Sequence, residues 1–221
     1  MMRAYGSGDP YLEFAKLARL VPPEATKRSH GPQREAAKAC VLGVQYAMGP
    51  DTLALRIGQA PIVARGLLRA HREAFPIFWR WSDAAVDHAI LTGHLCAVFG
   101  WQLHVAAGFN PRSLRNFPMQ ANGAEMLRLA CCLATERDIE VCAPVHDAIL
   151  ICAPLERIEA DVAAAQAAMG EAARTVFGGF DLRSDANIIR YPSRYMDPRG
   201  VVMWDRVMGL IGNQQQVGTA A

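Results

Sequence analysis

The chain has 221 residues, of which 52% are hydrophobic and 20% are charged, a composition that excludes a disordered, fibrous or collagen-like protein. Its longest apolar runs, such as residues 149–155, are far shorter than the roughly 18 to 20 residues needed to cross a bilayer. The first residues also lack an apolar secretory core, so we expect a soluble, cytoplasmic protein with no membrane partner. Six cysteines without a Cys-x-x-Cys pair favour reduced core thiols over a zinc site or a disulfide framework.

Positive charge is concentrated in the first third of the chain. Residues 1–75 contain 11 Lys and Arg against 6 Asp and Glu, whereas residues 76–221 contain 12 against 15. A local excess of this kind is typical of a segment that contacts phosphate groups.

Hydrophobic periodicity and the positions of Pro and Gly predict a mainly helical chain with a small antiparallel sheet, an α+β class. Predicted helices cover residues 11–20, 33–48, 52–58, 61–74, 76–91, 116–136 and 156–176. Two hairpins are predicted, one pairing residues 94–99 with 102–105 and the other pairing 139–145 with 148–153. A last extended piece covers residues 181–190, and residues 212–221 are expected to form a flexible tail.

The first candidate site is a set of four residues at steps of four in a predicted helix. Arg34, Lys38, Leu42 and Tyr46 share about one third of the helix surface, because each step drifts by only about 40°. Two cations at one end and an apolar, aromatic surface at the other suit a nucleoside triphosphate. The alternative is a solvated basic edge beside core Leu and Tyr residues.

The second candidate is His146 with Asp147 in the turn between two apolar strands. The strands fix the direction of the exposed carboxylate, and Mg²⁺ prefers oxygen ligands that it shares between carboxylates and substrate phosphates. The alternative is that Asp147 is simply a turn residue that bonds its own backbone.

The third candidate comprises Arg112, Arg115, Asn116 and Gln120, at the beginning of the helix that precedes this hairpin. Guanidinium and amide groups of this kind hydrogen-bond base edges or phosphates. The alternative is helix capping by Ser113 or Asn116 with a solvated first turn.

The joint order of these motifs is more specific than any one of them. Arg34-xxx-Lys38-xxx-Leu42-Gly43-xx-Tyr46, then Asn116-Phe-Pro-Met-Gln120, then Val145-His146-Asp147, resembles the fingers helix, palm helix and catalytic hairpin of family A DNA polymerases, the bacterial DNA polymerase I superfamily. The resemblance covers nearly the whole chain. It implies a fingers-like helical region over residues 1–92, a palm-like region over 93–211 and the tail over 212–221.

The resemblance also implies roles for individual residues. Arg34 and Lys38 would hold the incoming dNTP, Leu42 and Tyr46 would line the pocket of the nascent base pair, and Asp147 would be a catalytic metal ligand for Mg²⁺. Primer-template DNA would be contacted by Arg112, Asn116, Gln120 and His146.

The chain departs from the family pattern at several positions. Leu42 stands where the family usually has Phe or Tyr, Ala47 where Gly is usual, and Ala148 where Glu often follows the catalytic Asp. Tyr11 is near the position of a His that supports the triphosphate in many members. The family's first catalytic carboxylate, on a palm strand upstream of the fingers, has no counterpart in the sequence.

These features predict the C-terminal part of a DNA-directed DNA polymerase, a nucleotidyltransferase that joins dNTP to a primer 3′-hydroxyl by a two-Mg²⁺ mechanism. Because Asp147 is the one catalytic carboxylate present, we expect the chain to be inactive unless a further segment, such as a second chain, supplies the missing palm motif. The main alternative is a catalytically incomplete nucleic-acid-binding remnant. A metal-dependent nuclease built on His146 and Asp147 is a more distant one.

Overall fold

The computed structural model of the chain describes residues 1–217, with side chains described through residue 211. Its secondary structure is mostly helical with two small antiparallel sheets, which agrees with the predicted α+β class. Of the predicted tail, residues 218–221 lie outside the described residues, and residues 212–217 form the end of a helix. No helix within the described part of the chain is both long enough and apolar enough to cross a membrane.

Six helices make up the N-terminal part of the fold. They are α1 (Met2–Gly6), α2 (Pro10–Leu17), α3 (Gly31–Gln45), α4 (Pro50–Ile57), α5 (Pro61–Ala74) and α6 (Pro76–Thr92). Each helix from α2 to α6 has Pro in its first turn, where the missing N–H needs no partner. The bounds of α5 are those predicted, and the other predicted helices differ from the observed ones by one to three residues at most ends.

A single core fixes how α1 to α5 pack together. Phe14 and Leu53 are fully buried in it, and Ala37, Cys40 and Val44 line the inward face of α3. Arg34 and Lys38 lie beside this buried face and are themselves partly buried, so the packing of α3 holds them at the edge of the core. Fixing the orientation of α3 is therefore the main contribution of this core to the site.

Two hairpins follow α6. Strand β1 (His94–Cys96) pairs with β2 (Gln102–His104), and β3 (Glu140–Val145) pairs with β4 (Ala148–Cys152). Val145 lies opposite Ala148, so the second hairpin has the two-residue turn that was predicted. The two hairpins form separate two-stranded sheets, so the expectation of one small sheet is wrong for the described residues.

Two long helices carry the second hairpin. Helix α7 (Pro111–Thr135) packs along α8 (Ile158–Val176), and both contact the apolar side of the hairpin, where Val141 and Ile151 lie against Ala134 and Ala168. Helix α7 begins five residues earlier than predicted. Asn110 caps it by accepting a hydrogen bond from the Arg112 N–H at 3.0 Å, and Pro111 then occupies the first helical position.

Three other expectations need correction. Residues 181–190 join no strand, although they were predicted to be extended, and the helices α1 and α9 (Val201–Val217) were not predicted. All six cysteines are free, as expected, but among them only Cys40 is buried, so the expectation of core thiols is wrong for most of them. Burial raises the pKa of Cys40 to about 12, which leaves it protonated and unreactive at neutral pH.

Candidate functional site

Three of the four residues predicted to share one helix face, Arg34, Lys38 and Leu42, lie within α3, and Tyr46 is the residue that ends it. The two cations lie toward the beginning of the helix. Arg34 and Lys38 are one helical turn apart, and both side chains approach the ring of Tyr11 in α2. The Arg34 Cζ is 5.3 Å and the Lys38 Nζ is 5.7 Å from the ring centroid, distances at which a cation is attracted by an aromatic face. The two positively charged side chains thus approach one and the same ring.

Arg34 is ion-paired in this arrangement. Its Nε lies 2.6 Å from Asp9 Oδ2, and its Nη1 lies 2.6 Å from Glu35 Oε1. The side chain of Arg34 is 12% exposed and that of Asp9 is 24% exposed, so water screens this pair less than a fully exposed pair. Any anion that binds Arg34 has to share the guanidinium with these two carboxylates.

Asp9 holds two partners at once. Its Oδ2 accepts from Arg34, and its Oδ1 accepts from the Leu12 N–H at 3.1 Å, which caps the beginning of α2. Burial raises the pKa of Asp9, but these hydrogen bonds and the charge of Arg34 lower it more, so its pKa lies below the usual range. The hydrogen bond that Arg34 donates to Asp9 in turn raises the pKa of Arg34. Both groups are therefore charged at neutral pH.

An apolar cavity of about 340 Å³ is lined in part by Tyr11, whose ring the two cations approach. Leu42 of α3 lines it, together with Tyr11 and the side chains of α1 and Phe180. Leu42 is half-buried, and its aliphatic side chain gives the cavity a wall without hydrogen-bonding groups. The cavity thus places apolar surface on the same ring that the two cations approach.

The far end of α3 contacts α7. Tyr46 is 50% exposed, and its hydroxyl accepts a hydrogen bond from Gln120 Nε2 at 3.1 Å. These residues are 74 positions apart and were predicted to belong to two different motifs. The structure therefore brings the α3 motif and the α7 motif together.

The other polar residues of α7 have different environments. Arg112 is exposed, whereas the Oδ1 atom of Asn116 is buried and has no hydrogen-bond partner within the described residues. Arg115 donates to Ser82 Oγ at 2.9 Å and lies 2.6 Å from Asp83 Oδ1, so it fastens α7 to α6. The unpaired oxygen of Asn116 leaves an acceptor available for an outside donor.

His146 and Asp147 form the exposed turn between β3 and β4. His146 has a φ of 58°, a left-handed conformation that His adopts more readily than most residues. Within residues 1–217, no hydrogen bond or ion pair joins the Asp147 carboxylate to another side chain, nor does any group of three His, Cys, Asp or Glu residues suit a metal ion. Asp147 is thus an accessible oxygen ligand that belongs to no such group of three in this part of the chain.

Sequence reasoning missed the role of Asp9 and gave Tyr11 only a minor one. The segment Asp9-Pro10 is a helix-start signal, because Asp is a favoured cap and Pro a favoured first residue, and it could have located Asp9 at the beginning of α2. No local signal could have identified the contact with Arg34, since the two residues are 25 positions apart.

Comparison of sequences relates the chain to bacterial polymerases. It is 27% identical over 186 residues to the thermostable DNA polymerase I of Thermus thermophilus, and 26% identical over 174 residues to that of Thermus aquaticus. These alignments cover 78% and 72% of the chain but 22% and 21% of the polymerases, so the chain spans about a fifth of the length of these relatives. No family model matches the chain.

Comparison of structures agrees with this relationship. The POL domain of Pol1 from M. smegmatis, solved in complex with DNA primer-template and dNTP, superposes with a TM-score of 0.67 and 21% identity. The match covers 77% of the chain and 32% of the solved chain, and it shows a shared fold. Sequence and fold together identify the chain as related to a portion of the family A DNA polymerases, the family of bacterial DNA polymerase I.

Proposed function

We propose that the chain is the fingers and palm portion of a DNA-directed DNA polymerase that joins a dNTP to a primer 3′-hydroxyl. The observation that carries this proposal is the Tyr46 to Gln120 hydrogen bond, which joins the helix bearing the cation pair to the helix that packs against the Asp147 hairpin. Three motifs that are far apart in the sequence thus belong to one connected set of elements. The sequence relationship to DNA polymerase I supports the same conclusion.

Arg34 and Lys38 bind the triphosphate in this proposal. Charge-assisted hydrogen bonds to phosphate are about twice as strong as neutral ones, and a guanidinium can contact two phosphate oxygens at once. The apolar cavity beside them receives less polar parts of the nucleotide, with Leu42 as part of its wall. Tyr46, at the end of the same helix face, lines the pocket of the nascent base pair.

Arg112, Asn116, Gln120 and His146 contact the primer-template in the proposal. Arg112 is exposed and available to a phosphate, and the buried, unpaired Oδ1 of Asn116 is suited to accept from a base edge. Gln120 already holds Tyr46, so the residue that would contact DNA also orients the residue beside the nascent base pair.

Asp147 is proposed as a catalytic carboxylate that holds Mg²⁺. It fits this role as an exposed oxygen ligand on a short turn between paired strands, since Mg²⁺ is commonly held by one or two carboxylates together with substrate phosphates. When bound, such ions neutralise the charge that develops on the attacking and leaving oxygens. Because Asp147 belongs to no group of three metal-ligating residues in the described part of the chain, we propose that a further segment, in the same polypeptide or in a partner chain, supplies a second carboxylate.

Template-directed binding tests the first part of the proposal without requiring turnover. The purified chain is mixed with a labelled primer-template, and its affinity is measured by fluorescence anisotropy with each of the four dNTPs in turn. The dNTP complementary to the next template base should tighten the complex most, because its base pair completes the pocket. Equal effects of all four dNTPs would contradict a template-directed role.

Primer extension tests the catalytic part. Addition of a separately expressed segment that carries a palm strand with its carboxylate should give Mg²⁺-dependent extension, and Asp147→Asn should abolish it. The lack of a three-residue metal group among the described residues also favours a second candidate function, a nucleic-acid-binding protein without turnover. Complementary-dNTP binding without extension under any of these conditions would favour that alternative.

A further inference from the structure

The cation pair poses a physical problem, because like charges one turn apart on a helix repel each other. Arg34 and Lys38 have long side chains that could separate in water. Both nevertheless approach the same point, the ring of Tyr11. The carboxylates of Asp9 and Glu35 pair with Arg34 alone, so the ring of Tyr11 is the group outside α3 that both cations approach.

Tyr11 is suited to this role by its position. Four rings in the described part of the chain have a cation over them, and Tyr11 is the one that two cations share. The negative face of an aromatic ring attracts both charges and so offsets their mutual repulsion. A single ring in this location can hold the two cations at neighbouring positions.

The ring is itself anchored to the same cation pair. Tyr11 lies in the first turn of α2, and Asp9, two residues earlier, both caps this turn and binds Arg34. The backbone of α2 and the guanidinium are thus joined by one carboxylate, which limits how far the ring can move from Arg34. Tyr11 also lines the apolar cavity, so it stands between that cavity and the cations.

We propose that Tyr11 is a positioning residue whose ring holds Arg34 and Lys38 together for a triphosphate. The inference rests on the proposed nucleotide site and goes beyond it by assigning the arrangement of that site to a residue of α2. Tyr11 acts through the two cations, and the property that matters is the electrostatic character of its ring.

Graded fluorination of the ring is the sharpest test, because it weakens the negative face while almost preserving the shape. Residue 11 is replaced by phenylalanine and then by its monofluoro, difluoro and trifluoro analogues in the full chain. Affinity for inorganic tripolyphosphate and for dATP is measured by calorimetry. Tyr11→Phe should bind like the wild type, and affinity should fall stepwise with fluorination, by about two- to fivefold in total.

Tyr11→Leu should lose a similar factor, and circular dichroism checks that it folds. If it does not fold, the fluorinated variants still decide the question, since a merely structural ring would tolerate them without a graded loss. The same analogues at Tyr195, an exposed ring away from the cation pair, serve as the matched control and should leave affinity unchanged.

The outcomes separate this inference from the proposed function. Flat affinity across the fluorinated series, in a chain whose binding is lost on replacing Arg34 and Lys38 by Ala, would overturn the role of Tyr11 and leave the nucleotide site standing. Failure of the unmodified chain to bind either probe would overturn the site and the role of Tyr11 together.

Discussion

At the residue scale, the two cations of the candidate site differ in their partners. Arg34 is bound by Asp9 and Glu35, whereas no ion pair involves Lys38 among the described residues. A triphosphate therefore competes with two carboxylates for Arg34, but it meets Lys38 without such competition. The sequence pattern, which places both on one face, treats them as equivalent.

This difference predicts unequal effects of the two single substitutions. Lys38→Ala should weaken dNTP binding more than Arg34→Ala, and the double variant should lose orders of magnitude, because each charge-assisted bond contributes about 1.5 to 3 kcal/mol. Ala favours helix, so α3 should remain folded. Calorimetric titration with dATP measures the affinity of each variant. Arg69→Ala on α5 removes an exposed arginine elsewhere and is the matched control. Unchanged affinity in the double variant would contradict the assignment of Arg34 and Lys38 to the triphosphate site.

His71 predicts a dependence of stability on pH. It is fully buried among aromatic rings, its Nδ1 accepts from Trp79 Nε1 at 3.1 Å, and its Nε2 has no partner in the described residues. Burial, with a smaller contribution from the N-terminal charge, lowers the pKa of His71 from 6.5 to about 4. Between pH 6.5 and pH 4, His71 therefore binds a proton more readily in the unfolded chain than in the folded chain. The contribution of neutral His71 to the free energy of unfolding is fully present above pH 6.5 and is lost as the pH falls toward 4.

The expected loss over this range is about 3 kcal/mol, since one pKa unit corresponds to about 1.4 kcal/mol. Urea denaturation between pH 7 and pH 4.5 measures it. His71→Phe should be less stable at pH 7, because Trp79 loses its acceptor, but its stability should fall less toward low pH. The variant His104→Gln, which removes an exposed histidine, is the control. If the free energy of unfolding of His71→Phe fell with decreasing pH as steeply as that of the wild type, the prediction would be wrong.

At the element scale, the end of α3 is closed by a residue that is not ideal for its conformation. Ala47 has a φ of 50°, and the Met48 N–H donates back to the Gly43 carbonyl at 2.9 Å. This is the left-handed helix ending in which Gly is usually found, because a Cβ is disfavoured there. The departure from Gly that was noted in the sequence therefore carries a conformational cost.

Replacing this residue should recover that cost. Ala47→Gly should raise the free energy of unfolding by about 1 kcal/mol, because Gly adopts positive φ without a steric penalty. Ala36→Gly, in the interior of the same helix, should lower it by a similar amount, since Gly is unfavourable in a helix interior. Thermal denaturation of both variants measures the two opposite changes in stability. A lower stability of Ala47→Gly would show that the positive φ of Ala47 does not destabilise the folded chain.

At the scale of the whole molecule, a few long-range contacts fasten the N-terminal helices to the C-terminal half. Besides the Tyr46 to Gln120 hydrogen bond, Arg183 Nη2 donates to the Tyr5 carbonyl at 3.1 Å and its guanidinium lies 5.1 Å from the Tyr5 ring centroid. Phe180 packs edge-on against the same ring. The segment after α8 thereby holds α1 against the apolar cavity.

Removal of the Arg183 contacts should destabilise α1 without affecting the rest of the fold. Arg183→Ala should cost about 1 kcal/mol, the sum expected for one hydrogen bond and one exposed cation–π contact. Hydrogen exchange should become faster in residues 2–6 and remain unchanged in α8. Arg194→Ala, another exposed arginine of the C-terminal region, is the control, and unaltered exchange in α1 would contradict the proposed fastening.

The sequence by itself determined the features that depend on local interactions. The bounds of α5, the two-residue turn at His146 and Asp147, and the helical positions of Arg34, Lys38 and Leu42 were predicted correctly, because periodicity, Pro and turn residues act over a few positions. The beginning of α7 was misjudged, since the helix-start signal of Asn110 followed by Pro111 was overlooked.

Only the tertiary structure decided the partners of the site residues. The contacts of Arg34 with Asp9, of Gln120 with Tyr46 and of Arg183 with Tyr5 join residues that are 25, 74 and 178 positions apart. Such contacts depend on how helices pack around shared cores, and the local preferences of the residues carry no information about them. For this reason the sequence located the cations of the candidate site, whereas the fold determined which of them is already paired.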